Sequence, residues 1–254
     1  MRPNGIYVAR TSGAGERRIT EGIPGFEYQP DWSPDGRKLL LRVDGRQGGV
    51  WVVNADGTHP VNLSDRSGVP GGVPDWSPSG DRIAFIGKAP DDRYFGLYLM
   101  DADGSNPRRI TPDGWEAQYP DWSPDGDRIV FTRVEDQGFD IWMVGVDGSG
   151  LVRLTDHPAQ DNWPQWSPTG GQIVFSSTRL VADGGLHVMG TEGSPPRFLT
   201  DGGEPAWSPD GEWIAFDCFQ SSGVIGMCAI RPDGTGRTEL LPGEEAGFPA
   251  WEPA

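Results

Sequence analysis

Three histidines, two cysteines and 37 acidic side chains are the groups in this 254-residue chain best suited to chemistry. His59, His157 and His187 lie far apart, and no Gly-x-Ser-x-Gly elbow occurs, so nucleophilic hydrolysis by a serine has no support. Asp156, His157 and Asp161 have the side-chain types of a partial metal site, but in a polar stretch they read better as a solvated loop. Asp101-Ala102-Asp103-Gly104-Ser105-Asn106 alternates acids as a calcium loop does. Its glycine, however, stands fourth where such loops need it sixth, and the closing glutamate is missing. Repeated aspartates elsewhere in the chain read as turn caps. No catalytic residue, metal or cofactor is therefore expected. Cys218 and Cys228 match neither zinc spacing nor a disulfide scaffold; on facing strands of one hairpin they would be either a disulfide or two buried thiols.

What remains is recognition. Glu27, Tyr28, Trp115, Tyr119, Asn162, Trp163, Glu204 and Phe248, with Glu116, Asp161, Glu244 and Glu245 beside them, are acidic and aromatic residues that precede a recurring tryptophan motif. Such a rim suits a basic peptide or protein segment, through charge steering and stacking, and Trp115 or Trp163 could stack on a sugar. The formal charge of −16 disfavours nucleic acid, whose binding depends on lysine and arginine neutralising phosphates. No apolar run approaches the length that spans a membrane, and the first ten residues lack the apolar core of an export signal. The expectation is thus no membrane insertion, and a cytoplasmic protein unless the chain is processed or excised from a longer one.

The elements that position these residues follow from a repeat. Pro30-Asp31-Trp32-Ser33-Pro34-Asp35-Gly36 recurs with small changes around Trp76, Trp122, Trp166 and Trp207, and begins again at Pro249-Ala250-Trp251. Steps of 41 to 46 residues between these tryptophans match a propeller blade of four strands. In Ser-Pro-Asp-Gly the proline fits the second position of a type I turn and the glycine the fourth. Each motif is followed by a short apolar run, such as Ile129-Val130-Phe131, then by a second run, an Asp-Gly turn and a polar edge strand. The order A, B, C, D repeats. Gly and Pro, 62 residues together, are then punctuation of a β fold and not a mark of disorder.

The termini extend the pattern. Ile6 to Ala9 and Arg17 to Thr20 match strands C and D, and Phe248 to Trp251 matches strand A. The expected fold is a single all-β domain over 1–254: a six-bladed β-propeller with four-stranded blades. Its sixth blade is closed by both termini and lacks strand B, unless the chain is a fragment. Such a gap invites self-association by strand addition. The residues ahead of each motif should then surround the mouth of a central channel.

The PDWSPDG repeat, with its IAF-like and Leu97-Tyr98-Leu99-Met100-Asp101-Ala102-Asp103-Gly104 runs, resembles the TolB-type β-propeller repeat over nearly the whole chain. That resemblance implies a non-catalytic propeller that binds a protein or peptide, as TolB docks a peptidoglycan-associated lipoprotein. It equally allows an accessory propeller of a peptidase or carbohydrate-active enzyme.

Overall fold

A computed structural model describes residues 5–10, 15–135, 138–181, 184–191, 194–243 and 246–253; Glu244 and Glu245 lie outside them. Strands β1 (Tyr7–Val8) and β2 (Arg17–Arg18) pair only with each other. Five antiparallel four-stranded sheets follow. Blade 1 is β3 (Phe26–Trp32), β4 (Lys38–Asp44), β5 (Gly49–Asn54) and β6 (Val61–Asn62), trailed by the one-turn helix α1 (Leu63–Ser67). Blade 2 is β7 (Gly71–Trp76), β8 (Arg82–Gly87), β9 (Gly96–Asp101) and β10 (Arg108–Arg109). Blade 3 is β11 (Glu116–Trp122), β12 (Arg128–Glu135), β13 (Gly138–Gly145) and β14 (Val152–Arg153). Blade 4 is β15 (Asp161–Trp166), β16 (Gln172–Ser177), β17 (Gly185–Gly190) and β18 (Arg197–Asp201). Blade 5 is β19 (Gly203–Trp207), β20 (Ile214–Phe219), β21 (Ile225–Ile230) and β22 (Thr238–Leu240).

The propeller therefore has five blades, not the six expected from six tryptophan motifs. The reason is hydrogen bonding. A blade's A and C strands are joined only through the B strand between them, and no B run follows Trp251 among the described residues. Residues 246–253 consequently form no strand, and β1–β2 remains a two-stranded ribbon. Self-association through a gapped sixth blade loses its basis with it.

The chain divides into two compact units, Met1–Pro120 with Glu252–Ala254, and Asp121–Trp251. Blades within a unit pack through their B and C strands. In the first, Leu40, Val50, Phe85 and Met100 share a core with Trp76. In the second, Val130, Ile141 and Phe175 pack with Trp166, and Val174 and Leu186 with Phe216, Cys218 and Cys228. Cys218 and Cys228 form a disulfide across β20–β21, with their Cα atoms 5.8 Å apart. Nine residues after the motif tryptophan stands Leu41 in blade 1 and a phenylalanine in blades 2 to 5, at 85, 131, 175 and 216, and none of these has exposed surface.

The turn expectation holds in atomic detail. Gly36 N–H donates to Ser33 C=O at 2.8 Å, closing the Ser-Pro-Asp-Gly turn, and the Ser33 hydroxyl donates to Asp35 at 2.7 Å. That hydroxyl holds the Asp35 carboxyl below its ordinary range. The first aspartate of the motif behaves differently. Asp31 Oδ2 accepts the backbone N–H of Trp76, and Asp121 Oδ2 that of Trp166, each at 2.7 Å and 45 residues away. Gln165 does the same for Trp207 at 3.3 Å. These side chains staple one blade to the next instead of capping their own turn. Asp121→Ala leaves the Trp166 N–H without an acceptor and should cost about 1–3 kcal/mol in denaturant unfolding, whereas Asp121→Asn keeps an acceptor and should cost less.

Candidate functional site

The A strands of blades 1, 2, 4 and 5 carry the same irregularity. In blade 1 the pairing passes from Tyr28↔Arg42 to Asp31↔Leu40, three residues against two, so one extra residue is inserted. The same shift occurs in blades 2, 4 and 5. The inserted pair ends in the motif's first proline, which has no N–H to offer the ladder and so fits an unpaired bulge position. The residue before that proline has a positive φ in all six motif copies: Gln29, Val73, Tyr119, Trp163, Glu204 and Phe248, at 49 to 54°. A left-handed conformation in bulky, non-glycine residues is costly, and bulges of this kind re-aim side chains.

Four expected contact residues, Tyr119, Trp163, Glu204 and Phe248, occupy this position, and Tyr28 and Asn162 stand immediately before it. All six are half-buried. Trp115 lies in the loop entering β11, where its carbonyl accepts from Arg109 Nη2 at 2.7 Å; Arg109 is itself held by Asp92 at 3.1 Å. Glu27 is placed differently: its side chain is only 1% exposed and lies 3.9 Å from Arg18. Burial pushes its carboxyl up, with Arg18 opposing. Asp161 is fully buried in a bond pair with Arg179 and a bond from Ser177 Oγ at 2.6 Å. Asp156 pairs with Arg153, and His157 Nδ1 accepts from Ala159 N–H. Asp161 is thus committed to structure, and the described residues contain no group of three metal-ligating side chains.

Residues of the B strands, unmarked by sequence reasoning, complete the site. In blades 3 to 5 the tenth residue after the motif tryptophan meets the bulge of the following repeat. Thr132 Oγ1 donates to Asn162 Oδ1 at 3.0 Å, and Ser176 Oγ accepts from Glu204 N–H at 3.2 Å. Asp217 takes this place in blade 5, where it shares a hydrogen bond with Glu204 while both carboxyls accept from Phe248 N–H. Burial and the adjacent Asp217 push Glu204 up to about 8; burial pushes Asp217 up to about 6. Near neutral pH the two carboxyls therefore share one proton. Gly247 permits the approach, since a Cβ there would lie 3.0 Å from Asp217 Oδ2. A carboxylate in an otherwise apolar B run was the available signal for Asp217. The second unit thus brings Asn162, Trp163, Glu204 and Phe248 onto equivalent bulges backed by polar B-strand residues.

The TolB beta propeller domain family matches residues 2–200 and, in a second overlapping match, residues 116–254. The chain belongs to this TolB β-propeller family. An uncharacterized protein of Agrobacterium fabrum is 32% identical over 112 residues, 40% of this chain and 36% of that protein. The Tol-Pal system protein TolB of Alcanivorax borkumensis is 35% identical over 82 residues, 31% of this chain and 19% of that protein. The chain spans well under half the length of these two curated relatives. The crystal structure of TolB from Acinetobacter baumannii superposes with a TM-score of 0.77 at 20% identity, over 98% of this chain and 62% of that one. No helix among the described residues is long and apolar enough to cross a membrane.

Proposed function

We propose that this TolB-family propeller is a protein-binding module whose recognition surface is built from the bulge residues and the loops leading into them. Each unit presents its own set: Asn162, Trp163, Glu204 and Phe248 in the second, and Tyr28, Trp115 and Tyr119, with the buried Glu27 next to Tyr28 in sequence, in the first. The observation that carries this reading is the positive φ recurring at one position of every motif copy, occupied by aromatic, acidic or amide side chains in five of six. Strain kept in place while the side chain varies is the arrangement of a scaffold that presents residues, and the variable position is where specificity resides. The curated relatives named as TolB of the Tol-Pal system support a protein partner. Aromatic and acidic presentation favours a partner segment bearing lysine or arginine.

The test is fluorescence anisotropy with a labelled synthetic peptide of alternating lysine and leucine. Trp163→Ala should weaken binding about tenfold, the loss of one aromatic anchor, with little change in melting temperature. Unchanged affinity in that variant would remove the bulge residues from the binding surface.

A second reading, an accessory propeller of an enzyme, has its own support. The fold recurs over 43% of a puromycin-hydrolyzing peptidase of Mycobacterium tuberculosis, with a TM-score of 0.65 at 14% identity. Under that reading the same surface would face a catalytic domain.

A further inference from the structure

The β20–β21 hairpin ends in an exposed apolar pair. Phe219 and Ile225 oppose each other in register, and are 66% and 55% exposed. Scattered exposed apolar residues are ordinary, but this pair sits on an unusually fixed platform. The Cys218–Cys228 disulfide lies directly behind Phe219. Gln220 is buried and ties three segments together: its Nε2 donates to Met227 C=O and Leu240 C=O at 3.1 and 2.9 Å, and its Oε1 accepts from Gly243 N–H at 2.9 Å. Glu239 accepts from both the backbone and the hydroxyl of Ser221 in the hairpin turn, at 2.6 and 3.0 Å. Ordering costs that usually weaken a loop contact are thus already met within the fold.

Charge specifies what the pair should meet. Residues 121–251 contain twenty acidic residues, seven arginines and no lysine, a formal −13 of the chain's −16. The arginines are engaged internally: Arg153 with Asp140 and Asp156, Arg179 with Asp161, Arg197 with Pro232 C=O, and Arg231 over Trp213. Arg128 and Arg133 pair with Asp125 and Glu135, and Arg237 lies over the Phe216 ring. Strand alternation puts Asp217, two residues before Phe219, on the same sheet face, beside Glu204. An apolar knob next to carboxyls, in a unit whose cations are spent, calls for a ligand with both apolar and cationic side chains.

We infer that the Phe219–Ile225 pair is a preformed anchor for a cationic, amphipathic polypeptide segment, with its apolar residue on the pair and its lysine or arginine at Asp217 and Glu204. This rests on the protein-binding reading above and adds a place and a chemistry to it. The test uses the full, oxidised chain and three probes: the alternating lysine–leucine peptide, a glutamate–leucine peptide of equal length, and vesicles of phosphatidylcholine with phosphatidylglycerol. Phe219→Ser with Ile225→Ser should keep the melting temperature and lose at least tenfold in affinity for the lysine peptide. Wild-type binding should weaken at least tenfold between 20 and 200 mM salt, and the other two probes should not bind. Equal binding by the double variant, equal binding of the glutamate peptide, or vesicle binding that the double variant abolishes would each overturn the inference. If Trp163→Ala loses the peptide and the double variant does not, the protein-binding reading stands and the anchor falls; if no peptide binds, both fall.

Discussion

Phe175→Ala should destabilise the protein by about 3–5 kcal/mol, the cost of deleting a fully buried aromatic side chain and leaving a cavity. Phe175 packs in one core with Val130, Ile141 and Trp166, and so joins blade 4 to blade 3. It also lies opposite the inserted Trp163-Pro164 pair, because the register passes from Asn162↔Ser176 to Gln165↔Val174 around it. The ring therefore supports both the interblade core and the bulge that presents Trp163. Denaturant titration measures the loss, and Phe219→Ala, on the exposed hairpin end, is the control that should stay within about 0.5 kcal/mol. A cost below 1 kcal/mol for Phe175→Ala would mean that the B-strand phenylalanines do not hold the blades together.

The second large effect is electrostatic. Glu204 and Asp217 both have carboxyls raised above their unfolded values by burial, so the folded protein binds more protons than the unfolded chain. Their contribution is complete below the unfolded carboxylate range and is lost as pH rises through about 6 and then about 8. Discounted for partial exposure, forcing the second charge onto this pair costs roughly 3 kcal/mol. Asp31, pushed up to about 7 by burial, adds a loss in the same direction between those two values. Turn aspartates such as Asp35 and Asp210, whose carboxyls are lowered by serine hydroxyls, oppose it by losing their contribution in acid. The melting temperature should therefore peak in mildly acidic solution and fall toward pH 9. Glu204→Gln keeps a donor for Asp217 but cannot ionise, so the fall between pH 7 and 9 should flatten while the Asp31 part remains. A variant that tracks the wild type across that interval would show that the pair does not share a proton.

Much of the fold was legible because the repeat encodes local chemistry. Ser33, Pro34, Asp35 and Gly36 close a turn by themselves, and the apolar runs at 83–86, 129–131, 173–175 and 214–216 are too short for anything but buried strands. The blade number was not legible in the same way. The motif marks strand A only, and counting tryptophans assumes that a B strand follows each one; after Trp251 none does among the described residues. The role of Asp31 and Asp121 was likewise hidden, since their partners lie 45 residues away and no local rule points to them. At the candidate site, sequence identified the aromatic and acidic positions ahead of each motif. It could not show that Tyr119, Trp163, Glu204 and Phe248 share one backbone conformation. The signal was present all the same: each precedes a proline at the same distance from its tryptophan, where the missing N–H favours an unpaired position. Glu27 shows the converse, since an acidic residue in the same stretch turned inward because its place in the register lies before the bulge.

Hydrogen–deuterium exchange of the full chain with and without the lysine–leucine peptide tests the central claim most directly, because the bulges lie within the A strands and the Ser-Pro-Asp-Gly turns form separate segments after them. Binding at the presented bulges predicts added protection at 160–163, 203–206 and 246–250, with the turns at 33–36, 77–80, 123–126, 167–170 and 208–211 unchanged. Protection concentrated in those turns, with the bulge segments unaffected, would contradict it.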